Sequence, residues 1–337
     1  MKFGLIGAGR IGQFHAQTLL GLDDVDELVV ADVDPARAKG LAATSPALSA
    51  ADSVEALLTT GVDGVVITAA TSAHADLIHL ALDADVPVFC EKPVALDVPG
   101  TLSVVKRATT ASSPVQIGFQ RRFDAGYRAA KIALESGELG WLHSLRAVTC
   151  DQTPPPAEYI PTSGGLFRDC NIHDFDILLW LTGRSVVEVH AYGANRGDDF
   201  FRAGDDVDTV AAVLRFDDDT LATVSASRYN GAGHDVRLEV CGSKGARFVG
   251  LNDRAPMPTA EANVSWHQDR PYATFMERFR DAYIAELTAF VDVAAGHAPS
   301  PCTPADALQA LYIAEACDRS RRDGAPIRVE QVATVPA

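Results

Sequence analysis

The stretch "KFGLIGAGRIG" (residues 2–12) decides how the first third of the chain is read. A short, mostly apolar strand runs straight into Gly7, Gly9 and Gly12, a G-x-G-x-x-G spacing. Alone that spacing is a weak signal; between a strand and a helix it has physical meaning. Gly7 permits a tight turn, Gly9 lets a pyrophosphate approach the backbone, and Gly12 lets the helix "IGQFHAQTLL" pack close to the strand. The helix N-terminus then presents unpaired N–H groups and the positive end of its dipole to an anion. The competing reading is a glycine turn in an α/β domain that binds no nucleotide.

Working outward, apolar runs alternate with helical patterns through residue 120. "ELVVAD" is a strand, then "PARAKGLA" a helix opened by Pro35, a favoured first-turn residue. "VDGVVIT", "VPVFCEKP" and "VQIGF" are further strands, separated by "HADLIHLALDA" and "VPGTLSVVKRATTA". Strands apolar on both faces with helices between them predict a doubly wound parallel sheet of Rossmann type over residues 1–120. From residue 121 the rhythm changes. A helix over "AGYRAAKIALESG" is followed by period-two runs in "SLRAVTC", "SVVEVHAYGA", "DTVAAVLRF", "TLATVSASRY" and "DVRLEVCGSKG". This predicts a second α+β domain, 121–337, with a large, mainly antiparallel open sheet and a helix near 168–182 inserted early. Hairpin turns are expected at "FDDDTLATV" and "CGSKGARFVG". Late helices are expected over "TFMERFRDAYIAELTAFVDVAAG" and "PADALQALYIAEACDRSRR", and the tail adds an edge strand or frays.

Asp32 ends "ELVVAD", 20 residues beyond Gly12. An acidic side chain there accepts hydrogen bonds from ribose hydroxyls and repels a 2′-phosphate, so NAD is expected rather than NADP. Arg37 lies more than a helical turn away, and Asp34 caps the next helix or faces solvent. Arg10 and Ile11 sit inside the glycine turn. In "TAATSAH", Thr71 or Ser72 is expected to cap the helix, and either can also touch the cofactor. His74 and His79 read first as structural or exposed; His74 stays among the cofactor candidates. So do the strand-end residues Glu91 and Gln120.

"CEKP" places Glu91 and Lys92 at the carboxyl end of a strand, where ligands bind in such sheets. A lysine there can stabilise the oxyanion that develops as hydride leaves carbon. Away from such a position, a surface ion pair would be the default reading. The stretch "RDCNIHDFDILLWL" (168–181) holds a second constellation. At 100° per residue Asp169, His173, Asp176 and Trp180 share one stripe; Ile172, Phe175 and Leu179 form an apolar stripe beside it, and Asp174 points elsewhere. Three readings compete: a metal site, a structural histidine and an acid–base catalyst. Asp169 and His173 are spaced as metal ligands can be, but Cys170 points about 100° from Asp169 on that wheel, and no further ligand cluster is present. A zinc site needs about three protein ligands, so no metal is expected. His173, with its pKa nearest neutrality, is favoured as general base.

The ordered set "GAGRIG", "EKP", "GFQRRFD" and "RDCNIHDFD" resembles the glucose–fructose oxidoreductase / inositol dehydrogenase (Gfo/Idh/MocA) family over roughly residues 1–185. "DVRLEVCGSKG" and "AELTAFVDVAAG" extend the likeness, and "GGLFRDCNIHDFDILLWL" resembles the inositol 2-dehydrogenase branch. The resemblance implies an NAD(P)-binding Rossmann domain followed by an open-sheet domain that forms dimers or tetramers. It implies catalytic roles for Lys92, Asp169 and His173, with Arg122 beside the substrate. Arg121 reads as a surface ion pair. The branch often has a tyrosine just before the "DVRLEV"-type strand; here His234 stands there and is kept as a substrate candidate.

The chain has 337 residues, 47% hydrophobic and 22% charged, enough for two ordered domains. Its formal charge of −16 opposes nucleic acid and anionic membrane surfaces as partners. The start lacks a signal-peptide pattern, no window is apolar enough to span a bilayer, and six scattered cysteines read as free thiols. A cytoplasmic protein is expected. The leading functional expectation is NAD-dependent oxidation of a polyol or sugar hydroxyl, with myo-inositol oxidised at the 2-position as the best guess. The alternatives are a sugar or anhydrosugar reductase, and a non-catalytic NAD-binding regulator.

Overall fold

The computed structural model describes residues 1–257, 259–264 and 269–333. The chain divides into two compact units: Met1–Gln120 with Asp281–Leu308, and Arg121–Arg280 with Gln309–Ala337. The first unit runs β1 (Lys2–Ile6), α1 (Arg10–Leu19), β2 (Glu27–Ala31), α2 (Pro35–Ala42), β3 (Leu48–Ala50), α3 (Val54–Leu58), β4 (Gly64–Ile67), α4 (Thr71–Asp83), β5 (Val88–Glu91), α5 (Val98–Ala108) and β6 (Val115–Gly118). All strand pairs are parallel, in the order β3-β2-β1-β4-β5-β6. The doubly wound sheet is as the apolar strands predicted. Every residue of β4 is buried, because helices cover both faces. The short β3 and α3 escaped the sequence reading: "LSA" is too brief to carry a period.

Beyond β6 come α6 (Ala125–Glu135), β7 (Leu142–Cys150), α7 (Ile172–Thr182), β8 (Val186–Ala194), α8 (Phe200–Ala203), β9 (Thr209–Phe216), β10 (Leu221–Ser227), β11 (Asp235–Gly242), β12 (Gly245–Val249) and α9 (Phe275–Arg278). Then follow α10 (Arg280–Ala294), α11 (Pro304–Asp323), β13 (Ile327–Arg328) and α12 (Glu330–Ala333). The second sheet is ordered β12-β11-β7-β10-β9-β8-β13. It is antiparallel except where β10 pairs with β7. Alternation is clean: in β9, Val210, Ala212, Leu214 and Phe216 are buried while Thr209, Ala211 and Val213 are exposed. The tail supplies edge strand β13, which pairs with β8.

Two expectations change. The long late helix is broken at Phe279 into α9 and α10. And the segment expected in the second domain, 281–308, packs in the first unit. Leu287, Phe290, Val291 and Val293 of α10 join the core of Phe3, Leu5, Leu28 and Phe89. The Phe290 ring lies 5.7 Å from those of Phe3 and Phe89. Gln116 Nε2 donates to the Glu286 carbonyl at 3.1 Å, and the Ile117 amide to the Cys302 carbonyl at 2.9 Å. An apolar helix face states that it must be covered, not by which sheet; burying one such aromatic is worth about 2–3 kcal/mol, enough to choose.

Candidate active site

In the first unit the glycine turn lies between β1 and α1, at the point where the strand order reverses. Gly7 has φ +106°, and a Cβ there would come within 2.6–2.8 Å of Thr68 and Ala69 backbone atoms. At Gly12 a Cβ would sit 2.0 Å from the Gly7 carbonyl oxygen, so α1 and the turn are in direct contact. At Gly9 a Cβ would meet nothing within 4 Å, and Gly9 as N-cap of α1 offers no side chain to the helix N–H groups. These features fit a dinucleotide pyrophosphate: two glycines forced by packing, and one left open toward a ligand. The adjoining cleft is lined by Ala8, Gly9, Arg10, Gln13, Arg37 and Thr44, so Arg10 stands in it; Ile11 lies half-buried in the first turn of α1.

Asp32 is tied into the turn. Its Oδ2 accepts the Ala8 amide at 2.6 Å and its Oδ1 the Asp34 amide at 2.9 Å. Asp34 caps α2 through the Ala36 amide, one of its two expected roles. The cap expected from Thr71 or Ser72 is absent: Ala70 is the N-cap of α4, with no side-chain hydrogen bond. His74 is buried, with Nδ1 2.7 Å from the Pro93 carbonyl and Nε2 3.0 Å from that of Ala69. Burial, outweighing those two carbonyls, lowers its pKa. His74 thus connects the end of β4 to the residue after Lys92. Lys92 follows β5 half-buried, and its peptide to Pro93 is cis. Glu91 Oε1 lies 2.7 Å from Nε2 of the fully buried His15 in α1. Gln120 is buried and donates to the Tyr283 hydroxyl at 3.1 Å.

The second unit holds Arg122, Asp169, His173 and His234. Residues Phe167–Asn171 form a π-turn that runs directly into α7. Such wide turns recur at functional sites. Asp169 lies in the turn, and His173, half-buried, lies in the first turn of α7. Asp169 Oδ2 accepts from Arg228 Nη2 at 2.6 Å, and Oδ1 from the Tyr159 hydroxyl at 3.0 Å. Burial, then the Asp169 carboxylate, push the Tyr159 phenol far above its ordinary pKa, so it remains a donor. Arg228 Nη1 also reaches Cys170 Sγ at 2.9 Å and Asp151 Oδ2 at 3.2 Å. The wheel placed Cys170 well away from Asp169; the wide turn and the guanidinium fork bring both to one arginine. His234 is buried, with Nδ1 3.5 Å from Asp151 Oδ1. Burial alone would raise the Asp151 carboxyl, but the His234 hydrogen bond and the Arg228 charge hold it below its usual range.

The acids of α7 are also re-sorted. Asp176 does not line an open stripe with His173. It is buried, and Arg122 grips it through Nε at 2.9 Å and Nη2 at 2.6 Å. Arg121 is no surface ion pair: it is buried against Asp174, which also accepts from Thr149 and Asn171 at 2.9 Å each. The sequence reading missed Arg228, Asp151, Tyr159 and His15. Arg228 and Asp151 lie just past the ends of β10 and β7, and His15 lies in α1 after the glycine turn, each with a partner far along the chain, whereas Tyr159 lies in the loop ahead of the π-turn, ten residues before Asp169. Among the described residues no group of three His, Cys, Asp or Glu side chains is placed to hold a metal ion.

Residues 1–119 match the oxidoreductase family with an NAD-binding Rossmann fold, and residues 127–247 match the GFO/IDH/MocA C-terminal domain. A myo-inositol dehydrogenase of Streptomyces leeuwenhoekii is 38% identical over 96% of this chain and 98% of its own. A probable dehydrogenase of Thermotoga maritima superposes with a TM-score of 0.91 at 32% identity, over 98% of this chain and 100% of that one. The myo-inositol dehydrogenase of Lactobacillus casei, solved with NAD(H) and myo-inositol, gives a TM-score of 0.84 at 26% identity, over 100% and 98%. With both matches spanning the parts of the chain that carry the glycine turn, Lys92, Asp169 and His173, the chain belongs to the Gfo/Idh/MocA family of oxidoreductases, and its first unit is an NAD-binding Rossmann domain.

Proposed function

We propose that this protein oxidises a hydroxyl of myo-inositol to the ketone, giving 2-keto-myo-inositol, with NAD as the acceptor. The observation that carries this reading is the near full-length likeness to a myo-inositol dehydrogenase. The likeness extends to both units, and the chain carries Lys92, Asp169 and His173.

Bound NAD supplies the hydride acceptor. The chain supplies position, charge and a place for the proton. Gly7, Gly9, Arg10, Ile11 and Gly12 present backbone to the pyrophosphate. Asp32 receives the adenosine ribose and discriminates against a 2′-phosphate, with Thr71, His74, Glu91 and Gln120 completing the cofactor surround. His173 removes the hydroxyl proton as the C–H bond gives up its hydride, so one proton and one hydride leave the carbinol and a C=O bond forms. Lys92 stabilises the negative charge on that oxygen. Asp169 holds a neighbouring hydroxyl, and Arg122 and His234 border the ring. Rising absorbance of NADH with myo-inositol and NAD, and little with NADP, is the expected result across a panel of inositols and aldoses. Turnover confined to an aldose, or to NADP, would overturn it.

The cofactor half has its own test. Gly9→Ala adds a methyl where no protein atom lies within 4 Å. It should leave thermal stability unchanged while weakening NADH binding by about tenfold or more, as lost backbone approach to the phosphates implies. A fluorescence titration checks this; wild-type NADH affinity would refute the placement.

We also propose a homo-oligomer, a dimer or tetramer, built through the uncovered face of the second sheet. Tyr192 (65% exposed), Val213 (48%), Leu221 (47%) and Phe248 (55%) stand on that face. A shared apolar patch suits an isologous contact between copies. A protein that stays in the cytoplasm fits the free thiols at all six cysteines. No described helix is long and apolar enough to cross a membrane.

A further inference from the structure

Arg228 lies at the end of β10, with 3% of its surface exposed. Its guanidinium touches groups from two other parts of the second unit: Asp151 just after β7, and Asp169 and Cys170 in the π-turn. A strand end in a sheet has no need of a buried cation. Taking an arginine out of water costs several kcal/mol, offset only by well-placed partners. If charge balance were the whole purpose, Asp151 alone would serve. Yet the shortest of these contacts, 2.6 Å, goes to Asp169. The other Asp169 oxygen is taken by Tyr159, from the loop that precedes the turn.

We propose that Arg228 is the positioning residue for Asp169, with Tyr159 as its second hold. The inference rests on the reading above that Asp169 contacts the substrate. A carboxylate offers about four lone-pair directions; Arg228 and Tyr159 fix two, one on each oxygen, and thereby set the plane of the group. A carboxylate held in one plane presents its oxygens to substrate hydroxyls in one fixed orientation. Arg228 is thus a determinant of which hydroxyl pattern is held, acting through Asp169 without touching the reacting atoms.

The test compares Arg228→Met, Arg228→Lys, Tyr159→Phe, Asp169→Asn and the Arg228→Met/Asp169→Asn pair in the full-length protein, with myo-inositol and NAD. Arg228→Met should raise the KM for myo-inositol by about tenfold with NADH affinity within about twofold of wild type. Arg228→Lys should recover part of the loss, and Tyr159→Phe should raise KM by a few-fold. Arg228→Met should add little to Asp169→Asn, because both remove one interaction. Multiplicative losses in the pair, or an equal fall in NADH affinity, would overturn the inference while leaving the role of Asp169 standing. Wild-type kinetics in Asp169→Asn would remove that role and the inference with it. If Arg228→Met fails to fold, Arg228→Lys and Tyr159→Phe decide: unchanged KM in both refutes the proposal.

Discussion

His173→Ala and Lys92→Ala should each lower kcat for myo-inositol oxidation by about 10²–10⁴-fold, the range for loss of a positioned acid–base group or oxyanion stabiliser. NADH should still bind to both variants, since the glycine turn and Asp32 are untouched. The two losses have different origins. Without His173 the hydroxyl proton has no acceptor of suitable pKa, so raising the pH, which deprotonates more of the alcohol, should restore part of the rate. Without Lys92 the developing negative charge on oxygen loses its partner. A small external amine is then the natural rescue agent. The measurement is steady-state NADH production alongside a fluorescence titration of NADH. Near-normal turnover in either variant would remove that residue from the mechanism.

The second large effect is on stability. Asp174→Ala should destabilise the second unit by about 3–5 kcal/mol, because it strands a buried guanidinium. Arg121 is 3% exposed and its Nη2 donates to Thr149, which itself donates to Asp174. Removing the carboxylate takes away its ion-pair partner and leaves the cation the Thr149 hydroxyl and the Phe279 ring, its centroid 5.7 Å away, among its described neighbours. Asp174→Asn keeps the shape and part of the hydrogen bonding, and should cost less. An Arg121→Met/Asp174→Leu pair, which removes both charges, should regain most of the loss. Urea midpoints for the four proteins check the ordering. A cost below about 1 kcal/mol for Asp174→Ala would mean that water reaches the pair. Because Asp174 follows His173 on α7, the destabilised variant should also show weakened myo-inositol turnover.

These two predictions draw on features that stand differently to the sequence. Lys92 and His173 are singled out by short-range pattern: a lysine before a proline at a strand end, and a histidine four residues after an aspartate. Asp174 looked like a residue pointing away from the interesting face. The helical wheel took 168–182 as one regular helix, and the π-turn over Phe167–Asn171 breaks that premise. Even where the wheel is valid, it says which way a side chain leaves the helix and not what meets it. Asp174 and Asp176 meet Arg121 and Arg122, more than 50 residues earlier in the chain. The same holds for α10. Its apolar face was legible, and its return to the first unit was not.

What the sequence determined by itself is local: the alternating apolar strands and helices of a parallel sheet, the strand–glycine–helix turn, the acidic end of β2, and the period-two strands of the second sheet. Each follows from backbone sterics or from a side-chain period within about ten residues. The tertiary structure decided which buried charge pairs with which, and so which acids were left to the site. It gave Asp176 to Arg122, Asp174 to Arg121, and Asp169 to Arg228, 59 residues away. The physical reason is that a charge can enter the interior only beside an opposite one. That partner is chosen by packing in space, and spacing along the chain carries no record of it.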